Sequence, residues 1–174
     1  MKPIIIAVIT CTMMLNAVNA QKIYATRNGK ISFVAPSDED VKAVNNEVSS
    51  RITDNGIISF SLLIKGFKFD YAEMQDHFNN KYLESSKFPR ADFKGTILNI
   101  KEINFSKNGQ YKAAVKGDLT MHGVSKNITA NGIVTIKDGK ISISAKFPLL
   151  MKDYKIDASS VTDKVNTEIS CQYQ

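Results

Sequence analysis

Apolar and polar side chains alternate with a two-residue period over several segments of this chain, which are punctuated by turn-forming pairs. Tyr111, Ala113, Val115, Gly117 and Leu119 share one parity, while Lys112, Ala114, Lys116 and Asp118 take the other. Ile128, Ala130, Gly132, Val134 and Ile136 repeat the scheme, as do Ile141, Ile143, Ala145 and Phe147. The last such run is Val165, Thr167, Ile169, Cys171 and Tyr173. Successive side chains of a strand point to opposite faces, so this pattern puts one face in a core and the other in water. On a helix the same residues would be spread around the whole circumference.

Upstream, Ile58, Phe60, Leu62 and Ile64 continue the scheme; Phe33 falls in an early strand, and Phe93 and Ile97 in a middle one. The change of parity at Ile97-Leu98 predicts a bulge, because one extra residue reverses the face. Turn signals stand at Asn28-Gly29, Asp54-Asn55-Gly56, Asn108-Gly109, Asn131-Gly132 and Asp138-Gly139. Such pairs supply the positive φ of tight hairpins, so they predict antiparallel connections. Gly123 is expected in a tight turn, with His122 beside it and Lys126 facing solvent. Two segments depart from the alternation. Ser37 to Ile52 fits either a helix or an interrupted strand. Asp70 to Leu83 reads as a short helix, with Tyr71, Met74 and Phe78 at helical spacing, ended by Phe88-Pro89. About eight strands result, which suits an all-β sandwich or a closed up-and-down barrel with a short helical insert.

Residues 1–20 follow a different plan. Lys2 precedes an apolar run from Ile4, and Val18-Asn19-Ala20 ends it with a small-x-Ala site. That is the layout of a secretory signal peptide, expected to be cut after Ala20, leaving residues 21–174 as one domain. Thr10, Thr12 and Asn16 interrupt the run short of the roughly 20 apolar residues of a membrane span. Cys11 lacks the small residues that precede a lipid-attachment cysteine. Export implies a periplasmic or extracellular protein. Cys171 alone then remains, so no intrachain disulfide is expected and the core must supply stability.

The net charge of +6 is carried by lysines scattered singly, such as Lys65, Lys68, Lys94, Lys101, Lys112 and Lys116, rather than by a stripe. This excludes a nucleic-acid footprint and leaves room for transient contact with envelope proteins or a membrane surface. His77 and His122 each have an acid nearby in sequence, Asp76 and Asp118, but no set of three or four ligands has zinc spacing. No Gly-x-Ser-x-Gly elbow and no Gly-rich phosphate loop occurs. The reading is a protein without catalytic or metal-ligating residues. Its candidate site is the barrel interior, lined by Phe33, Phe60, Leu62, Phe93, Val115, Val134, Ile143 and Phe147. Small inward residues, Gly66, Ala113, Gly117, Ala130, Gly132 and Ala145, either accommodate bulky neighbours or leave an apolar cavity. With no inward charge cluster, a hydrocarbon is the ligand such a cavity would take.

Gly117-Asp-Leu-Thr-Met-His-Gly-Val-Ser-Lys126 resembles the G-D-L-T-x-x-G-V-T-K segment of the YceI-like family of exported, lipocalin-like barrels. Asp76-His77-Phe78, Tyr82-Leu83, Ser85, Lys87-Phe88-Pro89, Ala91 and Phe93 are similar to its D-x-H-L … F … Y-P-x-A-x-F stretch, with one spacing residue fewer. The resemblance implies a lipocalin-like barrel that binds a polyisoprenoid lipid or quinone and possesses no catalytic residues. No cofactor beyond such a lipid is expected. The competing reading is a filled barrel serving as an envelope stress or scaffold protein. Cavity volume separates the two.

Overall fold

The computed structural model describes residues 21–173. The signal-peptide reading of residues 1–20 falls outside them. Eight antiparallel strands follow one another around a closed barrel: β1 (Ile23–Ala35), β2 (Asp38–Thr53), β3 (Ile57–Leu63), β4 (Arg90–Ile97), β5 (Gly109–Met121), β6 (Val124–Lys137), β7 (Lys140–Leu150) and β8 (Lys164–Tyr173). Closure is made by β1 on β8, with Lys30 opposite Ser170 and Val34 opposite Asn166. No sheet edge remains in the closed ring, so the ladder satisfies itself without a second layer. Between β3 and β4 lies an insert containing the short helix α1 (Ala72–His77), which runs into a π-helical turn at Phe78–Tyr82.

The ambiguous Ser37–Ile52 segment is strand: apart from the turn at its start it forms most of β2, whose Ile52 pairs with Tyr24 on one side and Ile58 on the other. Its polar interruptions, including Glu39 and Asp40, sit on the exposed side near the first turn. Of the turn signals, Asp54-Asn55-Gly56 and Asp138-Gly139 do connect neighbouring strands. Asn108-Gly109 instead ends a longer connection that includes a 3-10 turn at Ile100–Glu102. Asn28-Gly29 and Asn131-Gly132 are not hairpins at all. They lie inside β1 and β6, and the positive-φ glycines are Gly56, Gly123 and Gly139. Gly29 is small because a Cβ there would lie 2.5 Å from the Cys171 sulfur, and one at Gly132 would lie 2.7 Å from the Ser144 carbonyl oxygen.

The register irregularities fall in β1, between Thr26 and Gly29, Gly29 and Ile31, and Val34 and Ala35. No bulge forms at Ile97-Leu98; β4 ends there. Leu98 N–H still donates to the Ala114 carbonyl at 2.8 Å, and the Asn99 side chain then stands in for ladder groups, accepting from Ala114 N–H and donating to the Lys112 carbonyl. The parity change marks a strand end that a side chain seals.

Burial divides the barrel into halves. Along β7, Ile141 and Ile143 are buried, whereas Ala145, Phe147 and Leu149 on the same inward face are half-buried or more. On β6, antiparallel to it, Val134 and Ile136 are buried while Ile128 and Ala130 are not. Inward side chains thus lose cover toward the end that carries the helical insert. The opposite end is packed solid by Ile52, Ile97, Ile136, Ile141 and Tyr173. Tyr24 stacks on Phe105 at the same end, with centroids 5.5 Å apart. There the Tyr173 and Ser50 hydroxyls are hydrogen-bonded at 2.7 Å, which satisfies two buried polar groups. Outward positions such as Lys94, Lys112, Lys116, Asp118 and Lys126 are exposed. The outer wall therefore faces water.

Candidate functional site

The uncovered half of the interior is a cavity of about 510 Å³. It lies within the size range of small-molecule sites, roughly 300–1,000 Å³. All eight residues expected from the sequence line it: Phe33, Phe60, Leu62, Phe93, Val115, Val134, Ile143 and Phe147. They converge because each occupies an inward position of its strand. Phe60 pairs with Phe93 across β3 and β4, and Val134 pairs with Ile143 across β6 and β7. The blind end is set by Ile58, Ile97 and Val134, each 2 % exposed or less.

The small residues split between the two roles left open by the sequence. Ala113, Ala130, Gly132 and Ala145 line the cavity. Gly117, cross-strand from Gly95, makes room for the Phe93 ring, whose Cζ would lie 2.7 Å from a Cβ at Gly117. Gly66 is not an inward strand residue. It sits in a 3-10 turn, where a Cβ would strike the Asn45 amide, itself bonded to the Leu63 carbonyl.

The insert forms one side of the mouth. Glu73, Met74 and His77 of α1, then Phe78, Tyr82 and Leu83, line the cavity. Tyr71, expected at helical spacing, precedes the helix and is exposed. Phe78 anchors the insert by packing among Phe33, Phe67 and Phe69, with ring centroids 5.0 to 5.8 Å away. Such clusters contribute through burial and through favourable tilted ring geometry. The β7–β8 connection supplies the other side of the mouth with Ile156, Ala158, Val161 and Thr162. Those residues show no periodicity, and no pattern in the chain marks them as rim residues. Met74 and Phe78 were visible as a helical pair, yet spacing alone did not aim them into the barrel.

Three connections at this end are tied together at His122. The β5–β6 turn holds His122 at φ 51° and Gly123 at φ 72°, a pair of left-handed residues that suits a two-residue hairpin. The imidazole Nε2 lies 2.9 Å from the Glu84 carboxylate of the insert, and Nδ1 lies 3.0 Å from the Tyr154 carbonyl of the β7–β8 connection. Phe88 packs edge-on against the ring at 4.7 Å. His122 is thus a turn residue with a bracing role, and His77 stands apart at the cavity mouth. Among the described residues, no group of three or more His, Cys, Asp or Glu could hold a metal ion.

Titratable groups are few in the lining: Glu73, His77, Tyr82 and Asp92. Asp92 is engaged by Arg90, at 3.6 Å, and by the Ser61 hydroxyl. Elsewhere, burial pushes the Cys171 thiol up to about 11, so it is neutral and poorly nucleophilic. Burial, reinforced by Asp153, raises the Tyr154 phenol to about 12. On the rim, hydrogen bonds from Ser159 hold the Asp157 carboxyl below its usual range, with a smaller contribution from Lys81. The arrangement offers an apolar tunnel closed at one end. Among the described residues it does not bring a nucleophile, a base and an oxyanion donor together.

Comparison with known proteins agrees with this architecture. The YceI-like domain matches residues 17–173. A curated relative, a UPF0312 protein of Pseudomonas fluorescens, is 31% identical over 102 residues, which covers 58% of this chain and 43% of the relative. The chain therefore matches less than half the length of that relative. A polyisoprenoid binding domain from Saccharophagus degradans, implicated in plant cell wall breakdown, superposes with a TM-score of 0.75 at 12% identity, covering 87% of this chain and 97% of that one. BcnA of Burkholderia cenocepacia gives a TM-score of 0.65 at 14% identity, over 84% of this chain and 96% of that one. A YCEI protein of Campylobacter jejuni gives 0.60 at 19% identity, over 77% and 85%. At these identities the structural likeness speaks for the fold. The match across residues 17–173, on a closed eight-stranded barrel, places the chain in the YceI-like family.

Proposed function

We propose that this protein binds one extended apolar lipid of isoprenoid type, a prenyl chain or an isoprenoid quinone, lying along the barrel axis. The observation that carries this reading is the apolar cavity of about 510 Å³ in the insert-bearing half. An isoprenoid entering it gains roughly 25 cal/mol for each Å² of apolar surface removed from water. The tunnel walls lose nothing in return, because they hold few polar groups that would have to give up water. The polyisoprenoid-binding domain of similar fold supports the ligand class. A filled scaffold barrel requires a packed interior, and the half-buried Phe33, Phe60, Phe93 and Phe147 face open space instead.

The fuller proposal is carriage: the barrel shields the lipid between membranes or enzymes of a bacterial envelope, reached by export and cleavage after Ala20. It acts as a binding protein, with the Phe33-to-Phe147 set as contact surface and no catalytic step. Native mass spectrometry reads both parts at once, on protein recovered from the envelope of bacteria expressing all 174 residues. The expected species begins at Gln21 and holds one non-covalent isoprenoid lipid. Lipid-free protein that takes up no added isoprenoid would contradict the binding reading, and retention of residues 1–20 would contradict the export reading.

A further inference from the structure

The cavity's depth and the charge of its lining carry the assignment further, to the length and head group of the ligand. This step rests on the lipid-binding reading above. In a close-packed apolar interior each carbon with its hydrogens takes roughly 25–30 Å³, about the share of one liquid water. A volume of about 510 Å³ then holds roughly 17–20 carbons. The blind end is firm, since Ile58, Ile97 and Val134 are backed by the buried Ile52, Ile136 and Tyr173. Added chain cannot push deeper and must leave through the mouth.

The mouth sets the second limit. Among the described residues, the lining includes no lysine and no arginine. Its acidic member at the mouth is Glu73, one helical turn before His77, and both side chains are exposed there. Residues four apart on a helix share a face, so both reach the same stretch of rim. Of the nearby cations, Lys42 lies 3.4 Å from Asp70, and the Lys81 ammonium lies over the Tyr82 ring, 5.3 Å from its centroid. A diphosphate needs charge-assisted donors such as Arg or Lys, and would meet a carboxylate instead. An uncharged hydroxyl or carbonyl finds a hydrogen-bonding partner in His77.

We propose that the barrel selects isoprenoids of about 15–20 carbons that carry an uncharged, hydrogen-bonding head group, and that it rejects prenyl diphosphates. Each further buried methylene strengthens binding roughly fourfold, so affinity climbs with length until the cavity is full and then levels.

The test is a competition series against a bound apolar fluorophore, using the chain from Gln21 onward. Geraniol, farnesol, geranylgeraniol and solanesol form the length series, and farnesyl and geranylgeranyl diphosphate the charged pair. The expected result is at least about tenfold tighter binding at each step from geraniol to geranylgeraniol, and less than about threefold further gain at solanesol. Each diphosphate should bind at least about tenfold more weakly than its alcohol. Glu73→Lys, at an exposed position that leaves the core alone, should narrow that gap. A tenfold or greater gain from geranylgeraniol to solanesol would overturn the length limit. Diphosphates binding as tightly as alcohols would overturn the head-group limit, as would a gap that Glu73→Lys leaves unchanged. Failure of every alcohol to compete is a different result, and it would overturn the lipid-binding reading itself.

Discussion

Val115→Phe is expected to leave the barrel folded and to weaken isoprenoid binding by at least about tenfold. Val115 pairs with Ile97 on one side and Ala130 on the other, and its half-buried side chain faces the cavity below Leu119. A phenyl ring enters open space there, so it escapes the strain that overpacking imposes on a filled core. The ring removes only about a tenth of the volume, roughly 50 Å³ at interior packing density. Its effect comes from position. Standing level with its partner Ile97 and above the floor residue Val134, it cuts the ligand off from the deepest part of the tunnel. Loss of three to five buried carbons corresponds to roughly 2–4 kcal/mol. Lipid extraction with mass spectrometry, beside circular dichroism, reads both halves of the expectation. A folded variant that retains the same lipid at the same stoichiometry would show that the ligand does not occupy the tunnel.

The second large effect concerns stability, and it inverts a familiar ranking. Truncating a buried phenylalanine ordinarily costs as much as truncating a buried isoleucine or more, at about 3–5 against about 2–5 kcal/mol. Here Ile52→Ala is expected to cost about 3–4 kcal/mol, because Ile52 is wholly buried at the packed end and leaves a cavity that its neighbours cannot fill. Phe147→Ala should cost only about 1–2 kcal/mol, since its ring is already partly uncovered by the tunnel and less burial is lost. Urea unfolding of the ligand-free variants measures both. Equal costs would mean that the insert-bearing half is packed like the other, which the hollow-barrel description forbids.

The contrast between the halves also explains what could be read in the sequence. β8 alternates without a break from Val165 to Tyr173, and its buried and exposed positions follow that alternation residue by residue. β5 and β6 were legible together with their connection, because His122-Gly123 needs left-handed backbone and little else. The eight cavity residues followed from the same parity. Parity says which face is inward; it does not say whether that face is filled. Ile141 and Phe147 share one face of β7, yet one is buried in the packed half and the other faces the tunnel.

Other misses have specific causes. Asn-Gly looks the same whether the glycine supplies a positive φ, as a hairpin requires, or merely lets a neighbour approach. At Gly29 and Gly132 it is the neighbour, a sulfur and a carbonyl oxygen, that excludes a Cβ. The strand end at Ile97 imitates a bulge because the Asn99 side chain continues the hydrogen bonding of the ladder. The rim residues Ile156 to Thr162 have no repeating pattern, and Glu84 and Lys155 adopt left-handed backbone that nothing in their side chains announces. These positions are fixed by contacts across the mouth, such as the His122 bridge, and local sequence does not encode them.

Isotope-filtered NOE spectroscopy reads whether the ligand lies inside the barrel. Unlabelled geranylgeraniol would be bound to protein carrying labelled methyl groups. Cross-peaks are expected from the isoprenoid to Leu62, Val115, Val134 and Ile143, whose methyls line the tunnel. Cross-peaks confined to Ile57, Leu63 and Ile133, which are exposed on the outer surface, would contradict that location.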